Sequence, residues 1–326
     1  NGDDKLMADY SKIHGFTIQS LASDPPAPQA GQVWYNTTST TLKGYGAQGT
    51  GAWASGNGLV ASHANNAFGL GIQTAAIIAG GTQPGPTDLA ISETYDGTSW
   101  SEGNNIIKAR CKGMSAGTTT AGLIAGGVVT QSSWTVGYAD TEEYNGTSWS
   151  EVNNLNAVWA NGGFGTMGTQ TAAIKAAGTT PSNTANTETY DGTSWTEVNN
   201  INSPGGNCGA AGTTSGAVLM GRDPAPNKAI TELYDGTSWS EVGNMNTARE
   251  GEAGAGTSTL ALAIGGYGST SAVEEWNGTS WTTVASLGAA QQYNSSAGTG
   301  ALALGQYLQT CEEWTVPDAT KTFTAT

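Results

Sequence analysis

Apolar residues along this chain fall in short runs, and glycine closes most of them. Residues 259–264 form one such run, ended by Gly265-Gly266; Gly80-Gly81 and Gly126-Gly127 end two others. Ala177-Gly178, Met220-Gly221 and Gly305-Gln306 are degraded copies of the same ending. Between the runs lie short stretches rich in Thr, Val, Ile, Tyr and Trp, separated by turn residues. No segment carries a helical apolar period with caps at its ends, so the pattern predicts short β-strands throughout.

The pattern repeats. Glu93-Thr-Tyr95-Asp96-Gly97-Thr-Ser-Trp100 returns as Glu142-Glu-Tyr144-Asn145-Gly146-Thr-Ser-Trp149, again at 190–195, 234–239 and 276–281, and more weakly at 45–53. Its tryptophans, Trp53, Trp100, Trp149, Trp195, Trp239 and Trp281, stand 47, 49, 46, 44 and 42 residues apart. A second mark, Gly-Thr, recurs at Gly117, Gly168, Gly212, Gly256 and Gly298, after Ala in all but Gly168, with Gly71 followed by Ile. Each unit reads as four strands. Strand a carries the Gly-Thr mark, b is the apolar run, c holds Glu-x-Tyr, and d starts at the Trp. Asp-Gly or Asn-Gly between c and d is a hairpin turn, in which Gly takes positive φ and the Asx side chain bonds the turn backbone.

Four strands in 42–49 residues, repeated six times, match the blades of a β-propeller. The last unit, with its c strand near 311–314, has no Trp-bearing d strand after it. That strand is available at 51–55, around Trp53, so an N-terminal strand is expected to close the ring and remove its open edge. The expectation is an all-β chain: a six-bladed propeller over 43–315, an anchoring segment at 1–42 and a tail at 316–326. The run Tyr-Asp-Gly-Thr-Ser-Trp-Ser-Glu-Val, followed by a loop, a Gly-rich strand and an apolar strand ending Gly-Gly, resembles the kelch repeat. That resemblance spans nearly the whole chain, with a shorter Tyr-to-Trp spacing.

Strand alternation places the a–b and c–d turns on one face and the b–c and d–a loops on the other. The turns are nearly uniform and the loops vary, and variable loops on a rigid scaffold are where function concentrates. Trp134, Tyr138, Trp159, Tyr267, Tyr293, Tyr307, Arg110 and Arg249 lie in these loops outside the repeat pattern, which makes them candidates for ligand or partner contact. The repeated Trp and Tyr are expected to pack between blades. The recurrent Glu of strands c and d, such as Glu102, Glu151, Glu197 and Glu241, are expected to coat the outer surface.

Composition then narrows the classes. Gly and Pro number 48 and 10, below the roughly 25–30% of a low-complexity chain. A net charge of −15 with only 11 Lys and Arg argues against a nucleic-acid partner. No apolar run approaches the ~18 residues of a membrane span, so insertion is not expected. Cys111, Cys208 and Cys311 are too widely spaced for a disulfide frame or a metal cluster and read as isolated core residues. With His14 and His63 as the only histidines, no metal or other cofactor site is expected. The c–d turn resembles the sialidase Asp box, with one residue fewer between Asp and Trp. Arg110, Arg222 and Arg249 are the only arginines, the number a sialidase needs converging on a carboxylate. A paired-carboxylate glycosidase has Asp140, Asp223 and Glu250 to draw on.

Outside the repeats, Asp24-Pro-Pro-Ala-Pro28 is a stiff connector and residues 31–43 read as a β-hairpin about a polar turn. Phe16, Trp34 and Tyr35 are the candidate anchoring residues. The stretch from Lys12-Ile-His-Gly-Phe16 through Gly31-Gln-Val-Trp34-Tyr35-Asn is similar to the start of kelch-like structural proteins of tailed phages of marine bacteria. This resemblance implies a non-enzymatic virion component of the tail, fibre or capsid exterior. Residues 1–42 would dock on other virion proteins, copies of the chain itself among them, and the propeller would contact host-envelope glycan or protein. The alternatives are a secreted glycan-processing enzyme and a bacterial surface or filament adhesin.

Overall fold

The computed structural model describes residues 18–47, 51–64, 67–83, 87–129, 137–179, 182–223, 227–268, 270–291, 295–297, 302–304, 309–316 and 318–323. They form two compact units, one of residues 53–314 and one that joins residues 1–52 to 315–326. The fold is all-β.

The larger unit is propeller-like, built of small antiparallel sheets whose strands follow the repeat. Sheet 1 is Phe68–Ile72, Ala75–Ala79, Ser92–Tyr95 and Trp100–Glu102, in the order a, b, c, d. Sheet 2 is Met114–Gly117, Gly122–Ala125, Thr141–Tyr144 and Trp149–Val152. Sheet 3 is Gly168–Thr169, Ala172–Thr179, Asn183–Tyr190 and Trp195–Val198. Sheet 4 is Cys208–Thr213, Gly216–Met220, Thr231–Tyr234 and Trp239–Glu241, and sheet 5 is Ala253–Thr257, Leu260–Ile264, Val273–Trp276 and Trp281–Thr283. Sheet 6 is Ser295–Ala297, Leu302–Leu304 and Cys311–Thr315, completed by Ala52–Gly56 from the other end of the sequence.

That borrowed strand is the one expected from the missing Trp. Trp53 packs on Trp314 with ring centroids 5.2 Å apart, the counterpart of Tyr95–Trp100 at 4.9 Å and Tyr190–Trp195 at 5.1 Å. The partner of Trp53 is therefore Trp314 rather than Tyr45, so the weak copy at 45–53 is a copy split across the chain. In each c–d turn the Asx carboxylate or amide oxygen accepts two backbone N–H groups, as Asp96 does from Thr98 and Ser99 and Asn145 from Thr147 and Ser148. Either residue type supplies that oxygen, which explains the interchange.

The inner strands touch in chain order: sheet 1 on sheet 2, 2 on 3, 3 on 4, 4 on 5, 5 on 6, and 6 on 1. Their approach is backbone to backbone. Ser115 Oγ donates to Gly69 O at 2.6 Å and Ser296 Oγ to Gly254 O at 2.7 Å. Strand a of sheet 3 departs from the repeat. Gly163–Phe164 leaves its own sheet and pairs in parallel with Cys208 and Gly209, while Gly165 bridges Gly254 of sheet 5. Only small residues fit there, because a methyl on Gly254 or Gly165 would overlap the Ala210 backbone. The core proper lies farther out, where Leu, Ile and Ala of the b strands meet the Tyr and Trp of c and d. Cys111, Cys208 and Cys311 are free and buried.

The smaller unit is a four-stranded sheet. Gln19–Leu21 lies parallel to Val33–Asn36, which turns through a hairpin into Thr41–Ala47, and Asp318–Phe323 runs antiparallel beside that strand. Asn36 Oδ1 caps the hairpin turn by accepting the N–H groups of Thr38 and Ser39. Asp24 ties the sheet together. Its carboxylate takes Lys43 Nζ at 2.7 Å, Asn36 Nδ2 at 2.7 Å and Trp34 Nε1 at 3.0 Å. These bonds, that from Lys43 foremost, hold the Asp24 carboxyl down at about 2.

Three expectations change here. Residues 318–323 are the fourth strand of this sheet rather than part of a separate tail. The strand through Ala47 belongs to the hairpin, so the larger unit starts at 53 and not 43. Trp34, expected to reach a partner, is fully buried because Asp24 claims its indole N–H, while Tyr35 is half-buried. Phe16 lies outside the described residues.

The crowding at the inner strands is testable. Gly254→Ala is expected to destabilise the larger unit by about 3 kcal/mol or more in urea unfolding followed by Trp fluorescence. Gly46→Ala, whose methyl meets nothing within 4 Å, is expected to shift its own unit by no more than ~0.5 kcal/mol.

Candidate functional site

The loop-bearing side is organised around buried carboxylates that the repeat carries in strand c. Glu93, Glu142, Glu188, Glu232, Glu274 and Glu312 are all buried, one per sheet, because strand alternation turns them inward while the next residue faces out. Each receives the loop that leads from the preceding strand d. Ile107 and Lys108 donate their N–H groups to Glu142 at 2.7 and 3.3 Å, and Asn156 and Ala157 to Glu188 at 2.8 and 3.3 Å. Asn202 and Ser203 do the same for Glu232, Asn246 and Thr247 for Glu274, Val60 and Ala61 for Glu93, and Gly288 and Ala289 for Glu312. Two N–H groups aimed at a carboxylate are charge-assisted hydrogen bonds, the stronger class.

In four of the six loops a side chain three residues further along reaches the same carboxylate, while in sheet 6 that position is Gln291, which donates to Thr310 Oγ1 instead. His63 Nε2 lies 3.2 Å from Glu93 Oε1, Arg110 Nη1 donates to Glu142 at 2.7 Å, Trp159 Nε1 to Glu188 at 2.8 Å, and Arg249 Nη1 to Glu274 at 2.6 Å. In sheet 4 the position is Gly205, and Arg222 enters from the b–c loop to reach Glu232 at 2.8 Å. The exchange is steric: a methyl at Gly205 would come within 3.0 Å of Arg222 Cγ and Cδ. At Glu93, burial pushes the carboxyl up, but the bonds from His63, Val60 and Ala61 outweigh it and the carboxyl titrates below its ordinary range. Burial likewise pulls the Arg110 guanidinium down, opposed by Glu142.

These contacts overturn much of the expected binding surface. Arg110, Arg249 and Trp159 are buried at 0%, 4% and 1% exposure because each is the side-chain donor to a c-strand glutamate. The three arginines serve three different carboxylates, so they do not converge. The c-strand glutamates are internal and not outer surface, whereas Glu102, Glu151, Glu197 and Glu241 of the d strands are exposed as expected. Tyr138 is half-buried with Lys108 Nζ 4.5 Å from its ring centroid, and Tyr267 is 57% exposed. Trp134, Tyr293 and Tyr307 lie outside the described residues.

Above the carboxylates the loops join one another. Asn161 N–H donates to Lys112 O, Asn207 N–H to Asn161 O and Gly251 N–H to Asn207 O, at 3.1, 2.7 and 2.6 Å. All four residues are left-handed, with φ of 60, 50, 52 and 69°. A left-handed non-glycine residue costs ~1–2 kcal/mol, which the chain of bonds offsets.

Beside this chain, Glu250 bonds Lys228 Nζ at 3.0 Å and neighbours Asp223. Burial and the Asp223 carboxyl raise Glu250 against the pull of Lys228. Of the three acids read as a glycosidase set, Asp223 and Glu250 thus come together. Asp140 instead pairs with Lys108 at 2.5 Å. Two further buried groups escaped the sequence reading. Lys175 donates to Ala177 O at 2.9 Å and stands 4.7 Å from the Trp159 ring centroid, and burial lowers it to about 8. Burial raises Glu252, beside Gly209 N–H, to about 8. No group of three or more His, Cys, Asp and Glu among the described residues is placed to hold a metal ion.

No protein-family model matches the chain, and no curated protein matches it.

Two outcomes test the electrostatics. Glu142→Ala orphans the buried Arg110 and is expected to cost about 3–5 kcal/mol. Adding Arg110→Met recovers more than half of that loss in equilibrium unfolding, since the stranded charge is gone. At Glu252 the folded protein keeps a proton that the unfolded chain releases above its ordinary 4.5, so this group subtracts stability as pH rises from 4.5 toward 8. Glu252→Gln is therefore expected to raise the melting midpoint at pH 8 and change it little at pH 5.

Proposed function

We propose that the six sheets are the blades of a closed, kelch-like propeller, and that this chain is a non-enzymatic component of a virion exterior. In this reading the propeller displays its loop side to host-envelope glycan or protein, and the sheet formed by the terminal strands mounts it on other virion proteins. The observation that carries the reading is the pinning of the d–a loops by buried carboxylates. Loops held by charge-assisted hydrogen bonds form a stiff platform, and stiffness lowers the ordering cost of binding a partner.

Two further features support it. The sheet that gathers strands from both ends of the sequence is a compact unit separate from the propeller, as a mount requires. Each arginine that a sialidase would direct at its substrate is bonded to an internal glutamate. The charge of −15 opposes nucleic acid as a partner. No helix of the described residues is long and apolar enough to cross a membrane.

The test is gradient purification of particles from the source of this sequence, with labelled antibody against the chain. The expected result is co-banding with intact particles and label on their exterior. Recovery only from the soluble fraction, together with sugar release from envelope material that Glu250→Gln abolishes, would replace this reading with the glycan-processing enzyme.

A further inference from the structure

Crevices between neighbouring sheets are closed in a sequence-specific way on the side of the short turns. Between sheets 6 and 1, Glu313 accepts the Tyr95 hydroxyl at 2.5 Å and Gln73 Nε2 reaches the same carboxylate at 3.5 Å. Between sheets 2 and 3, Glu143 accepts the Tyr190 hydroxyl at 3.0 Å, while Gln170 Nε2 donates to Tyr144 O at 2.8 Å and Gly122 O at 3.1 Å. Each closed crevice thus uses a long pair: Glu before the c-strand aromatic of one sheet, and Gln in the a–b turn of the next.

Between sheets 1 and 2 both members are short. Thr94 replaces the Glu and Thr119 replaces the Gln. Among the described residues the Tyr144 hydroxyl then has no hydrogen-bond partner, and a crevice of about 820 Å³ opens over it. That volume is within the range of small-molecule sites.

We infer that the crevice between sheets 1 and 2 is a binding site for a neutral carbohydrate. The lining decides the ligand class. It contains no Lys or Arg, and it includes the carboxylates of Asp96 and Glu102, so it is built against anions. Thr94, Thr119 and Tyr144 supply hydroxyls that donate or accept, and Glu102, which is exposed, supplies acceptors for the paired hydroxyls of a sugar ring. Asp96 and Asn104 are held in place by the turns, Asp96 by Thr98 and Ser99 N–H and Asn104 by Thr147 O, so the walls are set before a ligand arrives. Tyr144, its ring packed on Trp149 in the core, contributes only its rim to this polar lining. This inference goes beyond the surface-binding reading above: the crevice lies on the side of the short turns, not on the loop side which that reading displays, and it does not rest on that reading.

The experiment applies the full chain to an array of neutral, sialylated and sulfated oligosaccharides, with spermidine as a cationic probe, and follows the strongest neutral hit by calorimetry. Thr94→Glu with Thr119→Gln installs the long pair that the chain already uses at two other crevices. It is expected to leave the melting midpoint unchanged or higher and to weaken that hit at least tenfold. Tyr144→Phe is expected to weaken it severalfold, and Thr119→Gln alone gives the same direction should the pair disturb folding. Thr189→Glu with Thr214→Gln, the corresponding short pair of sheets 3 and 4, is expected to leave it unchanged. Retention of spermidine or acidic glycans in place of neutral ones, no retention at all, or a plugged variant that binds within twofold of the parent would overturn the assignment. The readouts stay separate from the particle test: a chain absent from particles can still bind sugar here, and a chain on particles can fail to.

Discussion

A buried carboxylate that must be satisfied is the constraint from which the rest of the larger unit follows. An ionised Glu taken out of water is costly unless hydrogen bonds replace its hydration. In each sheet the replacement comes from the backbone of a loop that would otherwise be free to move. The loop is thereby fixed at two consecutive N–H groups, and in four of the six its next turn carries a side chain back to the same carboxylate. Because strand c belongs to the following sheet, each bond set also sews a connection onto the sheet it leads into. Sheets that share little side-chain volume near the axis, where Gly and Ser bring backbones together, are thus fastened farther out by electrostatics.

The variation in the third donor shows how tolerant that solution is. Trp159 and the three arginines each deliver one N–H to the same kind of oxygen, His63 sets its Nε2 against it, and Gly205 delivers none because Arg222 does so from another loop. Residues that differ this much in charge share one geometric task. Chemistry read from their identity alone, such as an arginine cluster for an anionic substrate, therefore misassigns them. The proposed sugar site lies instead where the repeat leaves the long pair out, at the crevice lined by Thr94 and Thr119.

Much of the architecture was legible in the sequence because turns and strand ends have local signatures. The Asx-Gly turns, the a–d strand order and the strand borrowed by sheet 6 follow from spacing, and the structure has all three. The role of the c-strand glutamates was not legible. Glu142 in strand c and Glu151 in strand d look alike as letters and are opposed on one face of sheet 2, yet the incoming loop covers the first while the second, on the edge strand, stays in water. Arg110 and Trp159 were singled out as loop residues spare to the repeat, but each fills the same donor position of its unit, and their partners sit 32 and 29 residues away, beyond any local rule. A signal did exist: Glu93, Glu142, Glu188, Glu232 and Glu274 each stand seven residues before the repeat Trp, an invariance that a solvated surface position does not need. The terminal sheet was half legible, since its hairpin is local and its fourth strand comes from the far end of the chain.

The account turns on whether the loops are held as firmly as the strands. Native-state hydrogen exchange at the amides of Ile107, Asn156, Asn202 and Asn246 measures this directly. Protection comparable to that of the b-strand amides, lost together with them on global unfolding, is the predicted result. Exchange of these four amides at the rate of exposed turns, with the b strands still protected, would contradict it.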